Sequence, residues 1–380
     1  MANILTSLAG DLYRAADVIS REQVGLIPSV TINGGSERAA LNSIIRSFVA
    51  PSVTTVSNSP AMTVPEGVDQ TISNKTMTLT KSKGVQIPWT GEDVKFLDQG
   101  AGYRTVYGAQ VEQAMRAITN EIEEDGCIAA YLAASRAYGT SGTTPFGTAG
   151  DYTDMAETLK ILKDNGAPRD GNSLVFNTTA GAKFLGLQAD SNRQGGDSIL
   201  RQGVLLDLHG NALRESAYIQ DHVKGTGTSY TTSTAGFAVG STTIAIITGT
   251  GTVLAGDVVT FAGDANQYVV TTGTSGAGNI VIAAPGLKVA LPASAVAMTI
   301  TNSYAANVLV NRGAMELAIR APAMPEGGDA AVENMTIVDP RSGIPFDISL
   351  YKGFQKSMLN VSAVWGWAAW KPEHIAILKG

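Results

Sequence analysis

Between Gly225 and Asn302 the chain almost stops using charge. Those 78 residues hold three charged side chains, Asp257, Asp264 and Lys288, while the other 302 residues hold the remaining 57. Disorder needs high net charge and low hydrophobicity, and this segment has neither. Glycine punctuates β-branched runs at 243–247, 258–261, 267–272, 279–282 and 296–301. Short strands at that spacing predict a small all-β barrel or sandwich. Helix-bearing patterns flank the segment, from Tyr103 to Tyr138 before it and from Asn307 to Arg320 after it. The segment therefore reads as an insertion into a host, not a tail.

The host is patterned differently. Leu5, Leu8, Leu12, Ala16 and Ile19 recur at helical spacing, with Asp11, Arg14, Asp17 and Arg21 on other faces. Gly34-Gly35 and Pro51 punctuate 22–55, which reads as an arm and not as packed core. Residues 56–92 change to a period of two: Met77 and Leu79, then Val85, Ile87 and Trp89, alternate with polar residues. An upstream extended run, Met62 to Ile72, is the expected partner. Two strands alone in water are marginal, so this arm needs a surface beneath its apolar face. Residues 103–138 lack proline and carry Val106, Val111, Met115, Ile118, Ile122, Ala129 and Leu132 as a helical stripe, with Gly126 as the expected bend. A helix over 153–163, a strand over 173–177, a short helix over 180–187 and a glycine-rich loop over 190–203 follow. The chain closes with an alternating run, 358–370, that carries Trp365 and Trp367 on one face and stops at Pro372.

Few chemistries are open to it. Charged residues make up 16% of 380, against about 25% in ordinary domains. The net charge of −6, with Lys81-Ser82-Lys83 as the longest basic cluster, excludes a dedicated nucleic-acid grip. There is no Gly-Lys pair for a phosphate loop, no G-x-S-x-G, no H-E-x-x-H and no Cys-x-x-Cys. Three histidines, His209, His222 and His374, leave little for general base catalysis. His209 and His222 sit near predicted turns as surface or hydrogen-bonded structural groups. Glu121, Glu123, Glu124 and Asp125 read as a solvated helix face and not a metal site, and Cys127 as a small buried hydrophobe. No enzyme activity, cofactor or metal is expected. No apolar run is long enough for a membrane helix: 279–300 is broken by Pro285, Lys288 and Pro292. The start lacks a signal-peptide pattern, so folding in the cytoplasm is expected.

The order of parts resembles one family, the major capsid (coat) proteins of tailed double-stranded DNA bacteriophages. Similar stretches are Leu208-His-Gly-Asn-Ala-Leu-Arg-Glu-Ser216, Asn307-Val-Leu-Val-Asn-Arg-Gly-Ala-Met-Glu-Leu-Ala318 and Trp370-Lys-Pro-Glu-His-Ile-Ala-Ile-Leu378. The low-charge segment, with Val253-Leu-Ala-Gly-Asp-Val-Val-Thr-Phe-Ala-Gly263, looks like the extra β domain of a coat subfamily from short-tailed phages. The resemblance implies an α+β chain with an N-terminal arm over 1–55 and an extended β-hairpin loop over 56–95. A peripheral domain with the spine helix would span 96–150 and 336–380, and an axial (central) α/β domain 151–224 and 303–335. The inserted β-barrel-like domain would span 225–302. It further implies self-assembly into hexamers and pentamers of an icosahedral shell in the virion, put together in the host cytoplasm. A scaffolding protein, a portal protein at one vertex and a decoration protein would be partners, and packaged double-stranded DNA would be touched only non-specifically. Expected inter-subunit contacts are Met62, Val64, Met77, Leu79, Val85, Ile87 and Trp89; expected scaffold contacts are Asp11, Arg14, Asp17 and Arg21. The alternatives are a β-rich, adhesin-like surface protein, a minor head or decoration protein, and an enzyme with a buried carboxylate.

Overall fold

A computed structural model describes residues 25–48, 55–60, 62–64, 74–98, 103–148, 151–191, 210–338 and 343–380. Its longest element is the helix Tyr103–Ala133, about 46 Å at 1.5 Å per residue. Val111, Ala114, Met115, Ile118 and Ile122 are buried along one face, which is what the apolar spacing requires. The helix stops five residues short of the expected Tyr138. Ser135 is drawn off by the carbonyl of Ile375, which receives both its N–H and its Oγ–H, at 3.0 and 2.8 Å. Arg136–Tyr138 then runs parallel to Ala376–Leu378 as a strand. Gly126 permits a close approach: a Cβ there would lie 2.5 Å from Cζ2 of Trp367.

That helix packs on a six-stranded sheet built around Lys356–Ala369. Residues 356–365 of this strand pair antiparallel with Lys81–Thr90. Along 356–362 the opposite edge pairs with Pro345–Gly353, and 364–369 pair with the start of Met315–Pro322. Thr31–Ala39 runs parallel to Met315–Pro322, and Ala331–Val338 closes the other side. Trp365 is fully buried and donates Nε1–H to Asp125 Oδ2 at 2.9 Å; Trp367 donates to the Ile122 carbonyl at 3.0 Å. Both indoles thus satisfy their only polar atom while burying large rings between helix and sheet.

Three expectations need correction. Residues 25–39 are packed body, with Leu26, Ile27 and Val30 each 1% exposed. Among the described residues Ile44–Phe48 is the partner of Asn74–Thr78, and most of the expected run 62–72 lies outside them. Asn307–Arg320 contains no helix: Tyr304–Asn311 and Met315–Pro322 are strands joined by a turn. Both are buried on both faces, so no period of two marks them, and Met, Glu, Leu and Ala favour helix until the sheet overrides them.

Tyr304–Asn311 lies between Ile375–Lys379 and Asn172–Phe176, beneath the helices Thr153–Asp164 and Thr178–Ser191. From this sheet the chain passes into a closed ring of six antiparallel strands: Tyr230–Thr232, Thr243–Ile247, Gly278–Ile282, Gln267–Thr272, Val258–Phe261 and Ala297–Ile300. Five of them fall within a residue of the runs read from the sequence; Tyr230–Thr232, at three residues, is too short to show a period. Closure leaves no free strand edge within the ring. A bulge between Val270 and Thr272 falls where Gln267–Thr272 changes partner, after its first residues have paired with Arg136 and Ala137. Tyr230, Ile244, Val259, Phe261, Tyr268, Val270 and Ile280 fill the interior.

The three charges of this segment are all spent on the fold. Asp264 accepts from Tyr268 Oη at 2.6 Å and from Asn266, and Lys288 Nζ donates to the Asp164 carbonyl at 3.2 Å. Asp257, with no exposed surface, accepts from His222 Nε2 at 2.9 Å, Gly225 N–H at 3.0 Å and Leu254 N–H at 2.7 Å. His222 therefore rivets the ring to the host sheet through the pairing of Asp221–His222 with Tyr304 and Ala305.

Candidate assembly surface

The seven side chains expected between subunits separate into two groups. Met77, Leu79, Ile87 and Trp89 are at most 8% exposed, and Val85 packs against the same core. Their cover is this chain's own body, because Lys81–Thr90 is a strand of the six-stranded sheet and Leu79 sits against Ala318 and Val364. Met77, Leu79, Ile87 and Trp89 are corrected from inter-subunit contacts to core residues, and Val85 to a partly buried residue packed against that core. Met62 and Val64 are the opposite case, at 106% and 96% exposure, with Val56 at 75%. They lie between the paired strands Ile44–Phe48 and Asn74–Thr78, with no apolar neighbour among the described residues to cover them. Asp11, Arg14, Asp17 and Arg21, the expected scaffold contacts, and His209 lie outside the described residues.

A second exposed apolar site was missed in the sequence. Pro345–Gly353 and Lys356–Ala369 are joined by Phe354-Gln355, a two-residue turn with Gln355 at a φ of 54°. Phe354 is 89% exposed at its tip. The Gly91 N–H donates to the Gln355 carbonyl at 3.0 Å and holds the turn against the helix Gly91–Asp98, on which Phe96 is 79% exposed. Between them lies an open cleft of about 900 Å³ lined by Trp89, Glu92 and Val94 on one side and Lys352 to Ser357 on the other. Its rim carries both signs of charge, Lys352 and Lys356 against Glu92. The signal was present in Gly353-Phe354-Gln355-Lys356: an aromatic residue at the turn between two alternating runs has nothing beneath it.

Several buried polar groups are committed to structure. Glu123, expected on a solvated face, is buried and accepts the backbone N–H groups of Leu26 and Ile27, the latter at 2.9 Å. Burial pushes its carboxyl above the usual range, against those hydrogen bonds and the nearby Arg214. Glu121 and Asp125 hold Lys83 and Lys81 at 2.9 and 2.7 Å. Asp347, 3% exposed, pairs with Arg38 at 2.8 Å and ties the first strand to the last-but-one hairpin. Cys127 is buried, and desolvation raises its thiol well above its ordinary value, so it is not a thiolate nucleophile. The rings of Tyr131 and Tyr304 flank His222 at 5.7 and 5.3 Å, and the backbone N–H groups of Gly225 and Leu254 occupy Asp257 beside it. Among the described residues no three His, Cys, Asp or Glu side chains converge as a metal site, and no helix is long and apolar enough to cross a membrane.

No protein-family model and no curated protein matches this chain. The solved structures it resembles include phage capsids and a virus-like particle. One is the capsid of the cyanophage P-SCSP1u, at 10% identity over 92% of this chain and 86% of that one, with a TM-score of 0.49. Another is the capsid of the myovirus phage XM1, at 11% identity, 93% and 90% coverage and a TM-score of 0.42. A third is the virus-like particle of Pyrococcus furiosus, at 8% identity, 97% and 98% coverage and a TM-score of 0.43. Likeness at this level assigns no residue a role and no molecule as a partner.

Proposed function

We propose that this chain is a major capsid protein that assembles with copies of itself into hexamers and pentamers of a closed icosahedral shell around double-stranded DNA. The observation that carries the reading is the placement of its exposed apolar side chains. Met62, Val64 and Val56 lie between the paired strands Ile44–Phe48 and Asn74–Thr78, and Phe354 and Phe96 at one end of the six-stranded sheet. Large apolar groups at the tips of extended elements, above a body with well-filled cores, suit contacts between copies better than a ligand pocket. The element order supports it too, with a paired arm, a long helix and a late strand that returns beside that helix.

The role is structural, not catalytic. A net charge of −6 suits a wall that must contain DNA without gripping it, since each cation set against phosphate adds salt-dependent affinity. The ring of 230–300 is read as the inserted domain of the short-tailed-phage subfamily. The 1–24 segment, through Asp11, Arg14, Asp17 and Arg21, would meet a scaffolding protein during assembly. The portal at one vertex and a decoration protein complete the partners, in a virion assembled in the host cytoplasm. Negative-stain electron microscopy of the purified chain, alone and with its scaffold, is the test. Capsomers or shells are expected; monomers under every assembly condition would end the proposal.

A further inference from the structure

Phe354 and Phe96 stand 89% and 79% exposed on either side of the open cleft of about 900 Å³. Its floor is apolar, with Val94 half-buried on the helix Gly91–Asp98 and Trp89 buried on the strand before it. Its two rims carry opposite charge. The hairpin side holds Lys352 and Lys356; the helix side holds Glu92, with Asp93 next to it accepting from the Thr90 hydroxyl at 2.5 Å. Among the described residues Lys352, Lys356 and Glu92 have no ion-pair partner in their own copy. We infer that this cleft is an isologous contact: a second copy, related by a two-fold axis, sets its Phe354 into this cleft and receives this Phe354 in its own.

Three observations point to a second copy as the occupant. The first is charge. A two-fold rotation lays the lysine rim of each copy over the glutamate rim of the other, whereas the unrotated register would set lysine against lysine. The second is that one surface offers both halves of a contact, an apolar knob and an apolar floor beside it. The bond from the Gly91 N–H to the Gln355 carbonyl holds the turn against the helix, so the knob is presented with little left to order on docking. The third is area. Covering Phe354 and Phe96 on two copies buries roughly 500–850 Å², at about 150–250 Å² for a whole ring. That is a large share of the 1,200–2,000 Å² or so of a stable interface, and the lysine stems add to it. A small ligand needs enclosure, and an open cleft of mixed charge suits a protein surface better. The contact rests on the proposed self-assembly and names one place where copies touch, on a two-fold axis between neighbours.

Full-length chain carrying Phe354→p-benzoylphenylalanine is prepared with ¹⁴N and with ¹⁵N, mixed, irradiated and mapped by mass spectrometry. The turn is exposed, so the larger ring leaves the fold intact. Mixed-label adducts to residues 89–96 are expected, running as covalent dimers and nothing longer. Glu92→Lys in the probe-bearing chain should cut the dimer yield at least fivefold. Mixing that chain with probe-bearing chain carrying Lys352→Glu and Lys356→Glu should restore it. All three side chains are exposed, so the melting temperature should not change. Single-label adducts to 89–96 would mean that the ring folds into its own cleft, and a ladder of trimers and tetramers would mean a head-to-tail contact. Either result, mixed-label adducts elsewhere, no adduct at all, or a yield indifferent to charge reversal would overturn the assignment. Particles seen by electron microscopy without mixed-label adducts to 89–96 would overturn it while leaving the shell reading intact.

Discussion

Phe354 offers the sharpest separation between folding and assembly. At 89% exposure its ring contributes almost nothing to the isolated chain, so Phe354→Ser should leave monomer stability within about 0.5 kcal/mol. If copies bury the ring, each contact loses the transfer of a phenyl group from water, about 1.5–3 kcal/mol. A loss of 2 kcal/mol weakens one contact about 30-fold, since every 1.4 kcal/mol is a factor of ten. A shell multiplies that loss over many identical contacts, so its effect on assembly should be steep. The measurement is the protein concentration at which half the chain sediments as particles, set beside the thermal melt of unassembled protein. A rise of tenfold or more with an unchanged melt is expected. An unchanged assembly threshold would remove the turn from the interface, and a lowered melt would mean that the ring belongs to the chain's own core.

Ile87→Ala should behave oppositely, costing about 2–4 kcal/mol in the denaturant unfolding of monomer, because the side chain is 7% exposed inside the six-stranded sheet; a loss under 1 kcal/mol would reinstate it as an interface residue. Asp257→Ala strips acceptors from His222, Gly225 and Leu254 at a cost of about 3–6 kcal/mol, at 1–3 kcal/mol per orphaned donor with some rescue by water. Hydrogen exchange should speed up first around 221–225 and 254–257, and unchanged protection there would refute the rivet. Burial pulls the Lys379 ammonium down to about 8, so the unfolded chain binds the extra proton between pH 8 and 10.5 and stability must rise with pH across that window. Lys379→Met should therefore exceed wild type by on the order of 2–3 kcal/mol at pH 7, with the gap closing by pH 10.5; a gap that does not vary with pH would contradict this.

In the 225–302 segment Thr243–Ile247 and Ala297–Ile300 were legible because one face is wet and one dry, so the period of two survives in the sequence. Val258–Phe261 and Gln267–Thr272, buried on both faces along much of their length, were legible instead as β-branched runs between glycines. Asn307–Arg320 was not, because burial on both faces erases that period and leaves only residues that favour helix. The arm shows a different limit. The one-sided alternation of Met77 to Trp89 revealed an apolar face in need of cover, but one sequence cannot say which chain supplies it. The answer, Lys356–Ala369, lies nearly 300 residues downstream. Glu123 was hidden for a related reason: beside Glu124 and Asp125 it reads as solvent-facing, and only the return of residues 26–27 buries it. Of the exposed apolar side chains, Met62 and Val64 had been named in the sequence as expected contacts and Phe354 was overlooked, since an aromatic residue between two strands was absorbed into the alternation on either side.

The two parts of the fold cannot be completed on the same schedule. Every pairing in the six-stranded ring joins residues within 230–300, whereas Lys81 waits for Trp365. On the ribosome the ring can close as soon as it emerges, while Lys81–Thr90 must stay unmatched until residues 356–365 have been translated. Loop-closure entropy makes that late encounter slow as well. The nascent protein would thus carry a finished knob beside an open, aggregation-prone sheet, which makes a chaperone's protection most valuable until residues 356–365 emerge. Stalling synthesis near residue 340 and adding protease would reveal it: a resistant 230–300 fragment beside a cleaved 81–90, or, against this view, protection of both.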